Sequence, residues 1–523
     1  MKKLYIVAFI AGLMTLSSGC KKYLDVNTNP NAPQTVTANL YLAPMLHWMA
    51  TAPQYDARFI NRYTQNMTVT TINSTWDRQG YDPASDNGAE LWRDVYWSFG
   101  QNLIDMTTKA EAEQRWDLLG VAYILKAWGW QSLTDVHGEI IIKEAIDPTK
   151  TTFNYDSQEF AYQEVQRLLN LAIVNLQRTD GAVDANFLGK TDIIYKGDRT
   201  KWLKFAYGLL AVNLNHYSNK TALYKPDDVI AAVDKSFASN ADDALITYTG
   251  VSNDDRNFVG GTRANFTAYR QTLFILSLMN GTQFTGVTDP RMTRMLSPSP
   301  DGVYRGLDPT FGAGALTVNQ VPNTLYGYPA ATAYTTGMPT RYIFDDRSRF
   351  PIMTYSQLQF IKAEAALKKA DRATALTAYT NGVSSHIDFV NARNLDANQT
   401  PTQISAAEKS AYLASPVIIP TAANLNLSKI MEQKYIAQWG WGCLEQWMDL
   451  RRYHYTDADP ATGQQVFAGF VIPTNLYPDN AGNPVYRIRP RYNSEYVWNR
   501  ASLDKFGGLA QDFHTKQTWI VQP

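Results

Sequence analysis

Apolar residues recur at three- and four-residue steps along much of the chain, the spacing that gathers them on one face of an α-helix. The clearest case runs from Trp116 to Leu133, where Leu118, Leu119, Ala122, Leu125 and Trp128 keep the step until Thr134, Asp135, His137 and Gly138 end it. Similar patterns predict helices over Leu40–Met49, Leu91–Met106, Ser157–Leu176, Lys201–Tyr217 and Leu427–Trp447. Residues 354–390 read as a helix–turn–helix, with Tyr355, Leu358, Ile361, Ala365 and Ala366 on one helix and Ala373, Leu376, Tyr379 and Val383 on the next. Small residues facing large ones across a short turn is the packing of a tetratricopeptide-type hairpin, although no strict repeat period is visible. Strand signals are few and short: Ile140–Lys143, Leu245–Tyr248 and Val485–Arg489. The predicted fold is mainly α, helical hairpins with long inserted loops and a few short strands.

Two long stretches lack any period. Residues 64–88 are rich in Thr, Asn, Gly and Asp and read as a surface loop; residues 297–342 are rich in Gly, Pro, Tyr and Thr. Irregular excursions of that length in a compact domain are often functional. Aromatic residues make up 12% of the chain, with tyrosine leading. A flat ring with one hydrogen-bonding edge suits both sugar rings and protein partners.

The first residues are of another kind. Lys2 and Lys3 precede an apolar run, Leu4 to Leu16, of about a dozen residues, the length of a signal-peptide core and too short to span a bilayer. Ser17, Ser18 and Gly19 then stand directly before Cys20, as bacterial lipoprotein processing requires. The expectation is a leader over 1–19, a lipid on Cys20, and a polar tether over 20–39 broken by Asn27, Pro30 and Pro33. A single helical domain would fill 40–523. No later segment is long and apolar enough to span a membrane.

Composition narrows the chemistry. The chain has 48 basic and 48 acidic residues, which argues against the concentrated basic surface of a nucleic-acid binder. Once Cys20 carries a lipid, Cys443 stands alone, so neither an internal disulfide nor a cysteine metal cluster can form. The six histidines are scattered without metal-ligand spacing. Asp457, Asp459 and Gly463 fall short of a calcium loop and read as a solvated turn; calcium is possible but not indicated, and no cofactor is expected. Nothing positive indicates an enzyme, though a glycosidase carboxylate pair is a spatial and not a sequential feature.

Six segments in order carry a resemblance: Asp25-Val-Asn-Thr-Asn-Pro-Asn-Ala-Pro33; Ala127 to Gly138, ending Thr134-Asp135-Val136-His137-Gly138; Tyr195 to Ala206; Gln359-Phe-Ile-Lys-Ala-Glu-Ala365; Glu432 to Ile436 with Glu445 to Arg452; and Arg489 to Asn499. Together the chain resembles the SusD/RagB family of nutrient-binding outer-membrane lipoproteins, with His137 where that family usually has tyrosine or phenylalanine. The resemblance implies tetratricopeptide hairpins with inserted loops and no catalysis. It also implies a glycan or other nutrient as ligand, a SusC-type TonB-dependent transporter as partner, and a lipid-anchored place on the outer membrane. A lipid-anchored glycoside hydrolase and a purely structural scaffold are the alternatives. Asp449, Arg451, Arg452, Glu364, Glu432, Lys434 and Glu495 sit in the shared motifs and read as scaffold. The ligand is expected in the loops: Trp76 and Tyr81 with Asn73 and Asp77 in the first, and Tyr326, Tyr328 and Tyr334 with Arg341 in the second.

Overall fold

A computed structural model describes residues 36–523 apart from Pro83 and Asn398. The leader, Cys20 and most of the tether lie outside the described residues. From residue 38 the chain is part of the body: Ala38 and Asn39 are buried in a 3-10 turn, Ala38–Tyr41, packed on a helix of the next hairpin.

The helices are α1 (Leu42–Tyr63), α2 (Gly100–Ala112), α3 (Trp116–His137), α4 (Gln158–Gln177), α5 (Arg199–His216), α6 (Pro226–Lys235), α7 (Leu273–Met279), α8 (Tyr355–Lys368), α9 (Arg372–Arg393), α10 (Ala406–Ala414), α11 (Leu427–Gln438) and α12 (Cys443–Arg452). Several begin on a side-chain cap that satisfies an otherwise orphan backbone N–H: Ser157 for α4, Asp198 for α5, Thr354 for α8, Asp371 for α9 and Asn426 for α11. Short helices cover the remaining turns, and π-helical turns occupy Asp94–Phe99 and Tyr492–Trp498. Four short strands, β1 (Met67–Val69), β2 (Ala244–Ile246), β3 (Tyr269–Gln271) and β4 (Phe350–Met353), pair antiparallel as β1 with β3 and β2 with β4.

The expected helix–turn–helix is present as α8 and α9, which approach so closely at Gly382 that a Cβ there would lie 2.8 Å from the Phe360 ring. Helix α3 packs along α4 and is buried on nearly every side, so it forms the centre of the first half of the chain.

Several expectations are corrected. The helix foreseen over Leu40–Met49 continues to Tyr63. The one over Leu91–Met106 is divided into a short turn, a π-helical turn and α2. The one over Leu427–Trp447 breaks into α11 and α12 because Gly440 takes a left-handed φ of 85° and the Trp439 indole turns in to donate to the Asn66 carbonyl at 3.1 Å. Ile140–Lys143 contributes only a single bridge, Ile140 to Asp156, and the segment around Val485–Arg489 runs extended without a ladder.

A buried ionic chain ties the second half to the first. Lys434 on α11 lies 2.8 Å from both Glu445 and Asp449 on α12, Arg452 reaches Asp449 at 2.6 Å and Glu364 on α8 at 2.8 Å, and His216 on α5 meets Glu445 at 2.9 Å. Every charge in the chain faces an opposite one, the condition under which buried charges are tolerated. These motif residues hold four helices together, in line with their reading as scaffold. Arg451 turns elsewhere, donating to the Tyr486 carbonyl at 2.9 Å over the Trp447 ring. Cys443 is buried, and burial pushes its thiol well up.

Candidate functional site

The largest crevice among those described, about 540 Å³, lies where loops far apart in the sequence meet around α7. Its walls are Gln65 at the end of α1, the α7 face with Leu273 and Ser277, the segment Asp308–Phe311, and the segment Gly469–Thr474. The volume falls within the range of ligand sites, roughly 300–1,000 Å³.

The walls are fixed from beneath. Phe274 of α7 packs edge-on against Tyr435 and Phe470, with ring centroids 4.8 and 5.3 Å away. The Gln65 amide donates to the Val471 carbonyl at 2.6 Å, and the Thr272 hydroxyl donates to the Gln65 carbonyl. At the rim, the backbone N–H of Asn73 donates to the Thr310 carbonyl at 2.8 Å, and the side chain of Asn475 donates to that of Asn73 at 2.7 Å. Gly312 permits the contact between loops: a Cβ there would fall 2.3 Å from the Thr70 carbonyl oxygen. Left-handed backbone recurs around the crevice, at Gln65 (φ 56°), Thr310 (φ 77°) and Gly469 (φ 85°). For a β-branched residue such as Thr310 that conformation is strained, and strain of this kind concentrates at ligand sites.

The lining is amphipathic. Leu273, Phe311 and Val471 are 49%, 55% and 64% exposed although apolar, and Ile72 stands at the rim. Between them lie the side chains of Gln65, Ser277, Thr282, Gln283, Asp308 and Thr474. Apolar faces alternating with neutral amides, hydroxyls and one carboxylate can cover the faces of a sugar ring while bonding its hydroxyls.

The structure distributes the expected site residues differently. Trp76 is 2% exposed, enclosed by Phe59, Tyr63 and Tyr81 with centroids 4.8, 5.2 and 5.1 Å away, and its indole donates to Asp82 at 2.9 Å. Tyr81 is buried with it, and Asp77 is buried accepting from Arg62 at 2.7 Å. The stretch 64–88 is therefore only partly surface: its aromatic residues fold onto α1 and join the core, while 70–73 stay exposed. Of the four residues expected in this loop, only Asn73 reaches the crevice, at its rim.

In the second loop, Tyr326 is buried and its hydroxyl accepts from the Phe266 N–H at 2.9 Å, while Arg341 is buried against the Leu296 carbonyl. Tyr328 and Tyr334 are half-buried and cluster with Tyr326, the rings of Tyr326 and Tyr328 each lying 6.3 Å from that of Tyr334. Tyr334 lines a smaller cavity of about 240 Å³ with Asp345, Asp346 and Arg347. That cavity is lined mainly by polar and charged residues, with Met338 as its aliphatic wall. Asp459, read as part of a solvated turn, is buried and accepts from the Leu427 N–H at the start of α11. Among the described residues no group of three or more His, Cys, Asp or Glu is placed to hold a metal ion.

Phe311, which lines the crevice, is not among the expected residues although it too is an aromatic residue in a Gly/Pro-rich excursion. Leu273 and Val471 carry no local signal, since both read as ordinary apolar residues.

The family profile SusD-like, described as "starch-binding associating with outer membrane", matches residues 30–478. Similar solved structures include a SusD/RagB family protein from Bacteroides thetaiotaomicron (TM-score 0.68, 21% identity, covering 93% of this chain and 99% of that one). A chitin-binding protein gives a TM-score of 0.70 at 20% identity, over 93% of this chain and all of that one. A chitin-binding SusD homolog from Flavobacterium johnsoniae gives 0.65 at 20%, over 92% and 98%. At these identities the likeness establishes the fold. No curated protein matches the chain. Among the described residues no helix is long and apolar enough to cross a membrane. A match over most of the chain, together with the fold, makes this protein a member of the SusD-like family, which associates with the outer membrane.

Proposed function

We propose that this chain is a surface lipoprotein, anchored through Cys20, that binds a glycan in the crevice around α7 and passes it to a SusC-type TonB-dependent transporter. The observation that carries the reading is the lining: exposed Phe311, Leu273 and Val471 interleaved with neutral polar side chains in a crevice large enough for several sugar units. The family's description as starch-binding and the chitin-binding relatives support a polysaccharide as the ligand class. The lipoprotein-type sequence before Cys20 supports the anchor, and the family resemblance supports the transporter.

Titrating the purified protein with chitin and starch oligosaccharides tests the binding. Phe311→Ala should weaken it by about 1 kcal/mol, the scale of one ring's contribution, with unchanged melting. Unaltered affinity would move the site elsewhere. For the anchor, Cys20→Ala should release the protein from the membrane fraction, and its retention there would refute that part of the reading. Co-purification from membranes tests the transporter.

A further inference from the structure

A second cleft shares no lining residue with the crevice. It lies between the π-helical turn Asp94–Phe99, α2 and α3, and holds about 190 Å³. A cavity of roughly 150 Å³ is enough for a benzene ring. Val95, Phe99 and Leu103 make its walls apolar.

Four further features set it apart. The Trp130 indole lines it at 4% exposure, and its N–H has no acceptor among the described residues. A buried donor left unpaired is costly, and an acceptor brought into the cleft would relieve it. One helical turn earlier on the same face of α3 lies Lys126, half-buried and in no ion pair among the described residues. Burial holds its ammonium below the usual lysine value. On the facing loop Ile146 has a φ of 63°, a conformation that a β-branched residue adopts only under constraint. The π-helical turn that opens the cleft is itself a geometry common at functional sites.

The cleft thus offers an apolar body two donors, one of them cationic, and no carboxylate in its lining; Glu164, whose charge reaches Lys126, is paired with Arg167. We propose that it binds a small apolar carboxylate of about six carbons, its tail against Val95, Phe99 and Leu103 and its head accepting from Trp130 and Lys126. This site is separate from the glycan crevice and does not rest on it. The ion pair with the guest replaces the solvation that Lys126 has lost.

Calorimetric titration of the full chain with hexanoate, and in parallel with hexan-1-ol, tests it. Hexanoate should bind one to one and more tightly than the alcohol. Lys126→Met should weaken hexanoate about tenfold, as loss of one charge-assisted bond would, and leave the alcohol unaffected. Thr108→Trp, at an exposed lining position, should obstruct both ligands. Both variants should keep wild-type melting and glycan affinity. Absence of hexanoate binding at millimolar concentration, or equal hexanoate affinity in Lys126→Met and wild type, would overturn the proposal.

Discussion

Asn73 and Asn475 stand 402 positions apart in the chain, yet the side chain of one donates to the other at 2.7 Å across the rim of the crevice. With the Asn73 N–H bonded to Thr310, one short segment fastens two walls that come from distant parts of the sequence. An exposed hydrogen bond contributes little to global stability, about 1 kcal/mol or less. Asn73→Ala should therefore barely change melting but let the walls part, and glycan titration should show weaker binding than that small stability change would imply.

Gly312 sets how closely those walls approach. Its φ of 59° and the 2.3 Å that would separate a Cβ from the Thr70 carbonyl leave no room for a side chain. Gly312→Ala should cost about 1–3 kcal/mol in denaturant unfolding, the range for forcing a strained backbone, and should abolish the rim contact with Asn73.

Trp76 should behave in the opposite way to Phe311. Removing a large buried aromatic side chain costs about 3–5 kcal/mol. Trp76→Ala should lower the unfolding midpoint strongly, while protein that remains folded keeps its glycan affinity. Lost affinity at full folding would return Trp76 to the site.

The ionic chain makes a sharper prediction. Arg452 is fully buried against Glu364 and Asp449. Arg452→Met would leave both carboxylates with a reduced complement of cations, and breaking a buried pair on one side costs about 3–5 kcal/mol. Paired replacement of Arg452 and Glu364 by Met should recover part of that loss, which denaturant unfolding of the single and double variants would show.

His216 makes stability depend on alkaline pH. Burial pushes the imidazole down, but Glu445 and Asp135 outweigh it and raise it to about 9 from an ordinary 6.5. A folded-state value above the unfolded one means that the contribution is fully present below pH 6.5 and is lost as pH climbs towards 9. Asp56, held at about 7 by burial, and Glu432, at about 8, act in the same direction from lower pH. Unfolding free energy should fall over pH 6.5–9, and His216→Gln should show a shallower decline across that interval.

The scaffold was far more legible in the sequence than the site. Leu118, Leu119, Ala122, Leu125 and Trp128 announce α3 because helical spacing is a local property, and the hairpin of α8 and α9 follows for the same reason. Helix α1 runs on past Met49 to Tyr63 and carries Pro53 within it, a continuation that the local pattern does not announce. The break at Gly440 depends on where Trp439 finds an acceptor, a contact with Asn66 that no local pattern encodes. Trp76 looked available because its neighbours are polar. The covering rings, Phe59 and Tyr63, come from the preceding helix, and only packing reveals them. The crevice is harder still, since Phe311, Leu273 and Val471 acquire meaning together.

The distance along the chain between those walls has a temporal consequence. Contacts between residues so widely separated close late in folding, since the intervening chain must be ordered first. Helical hairpins such as α8 and α9 can form while the remainder is still being delivered, but the crevice has no fourth wall until Gly469–Thr474 arrives. A partly delivered chain would therefore be structured without being able to hold ligand, and competence to bind would report that nearly the whole polypeptide had reached its destination.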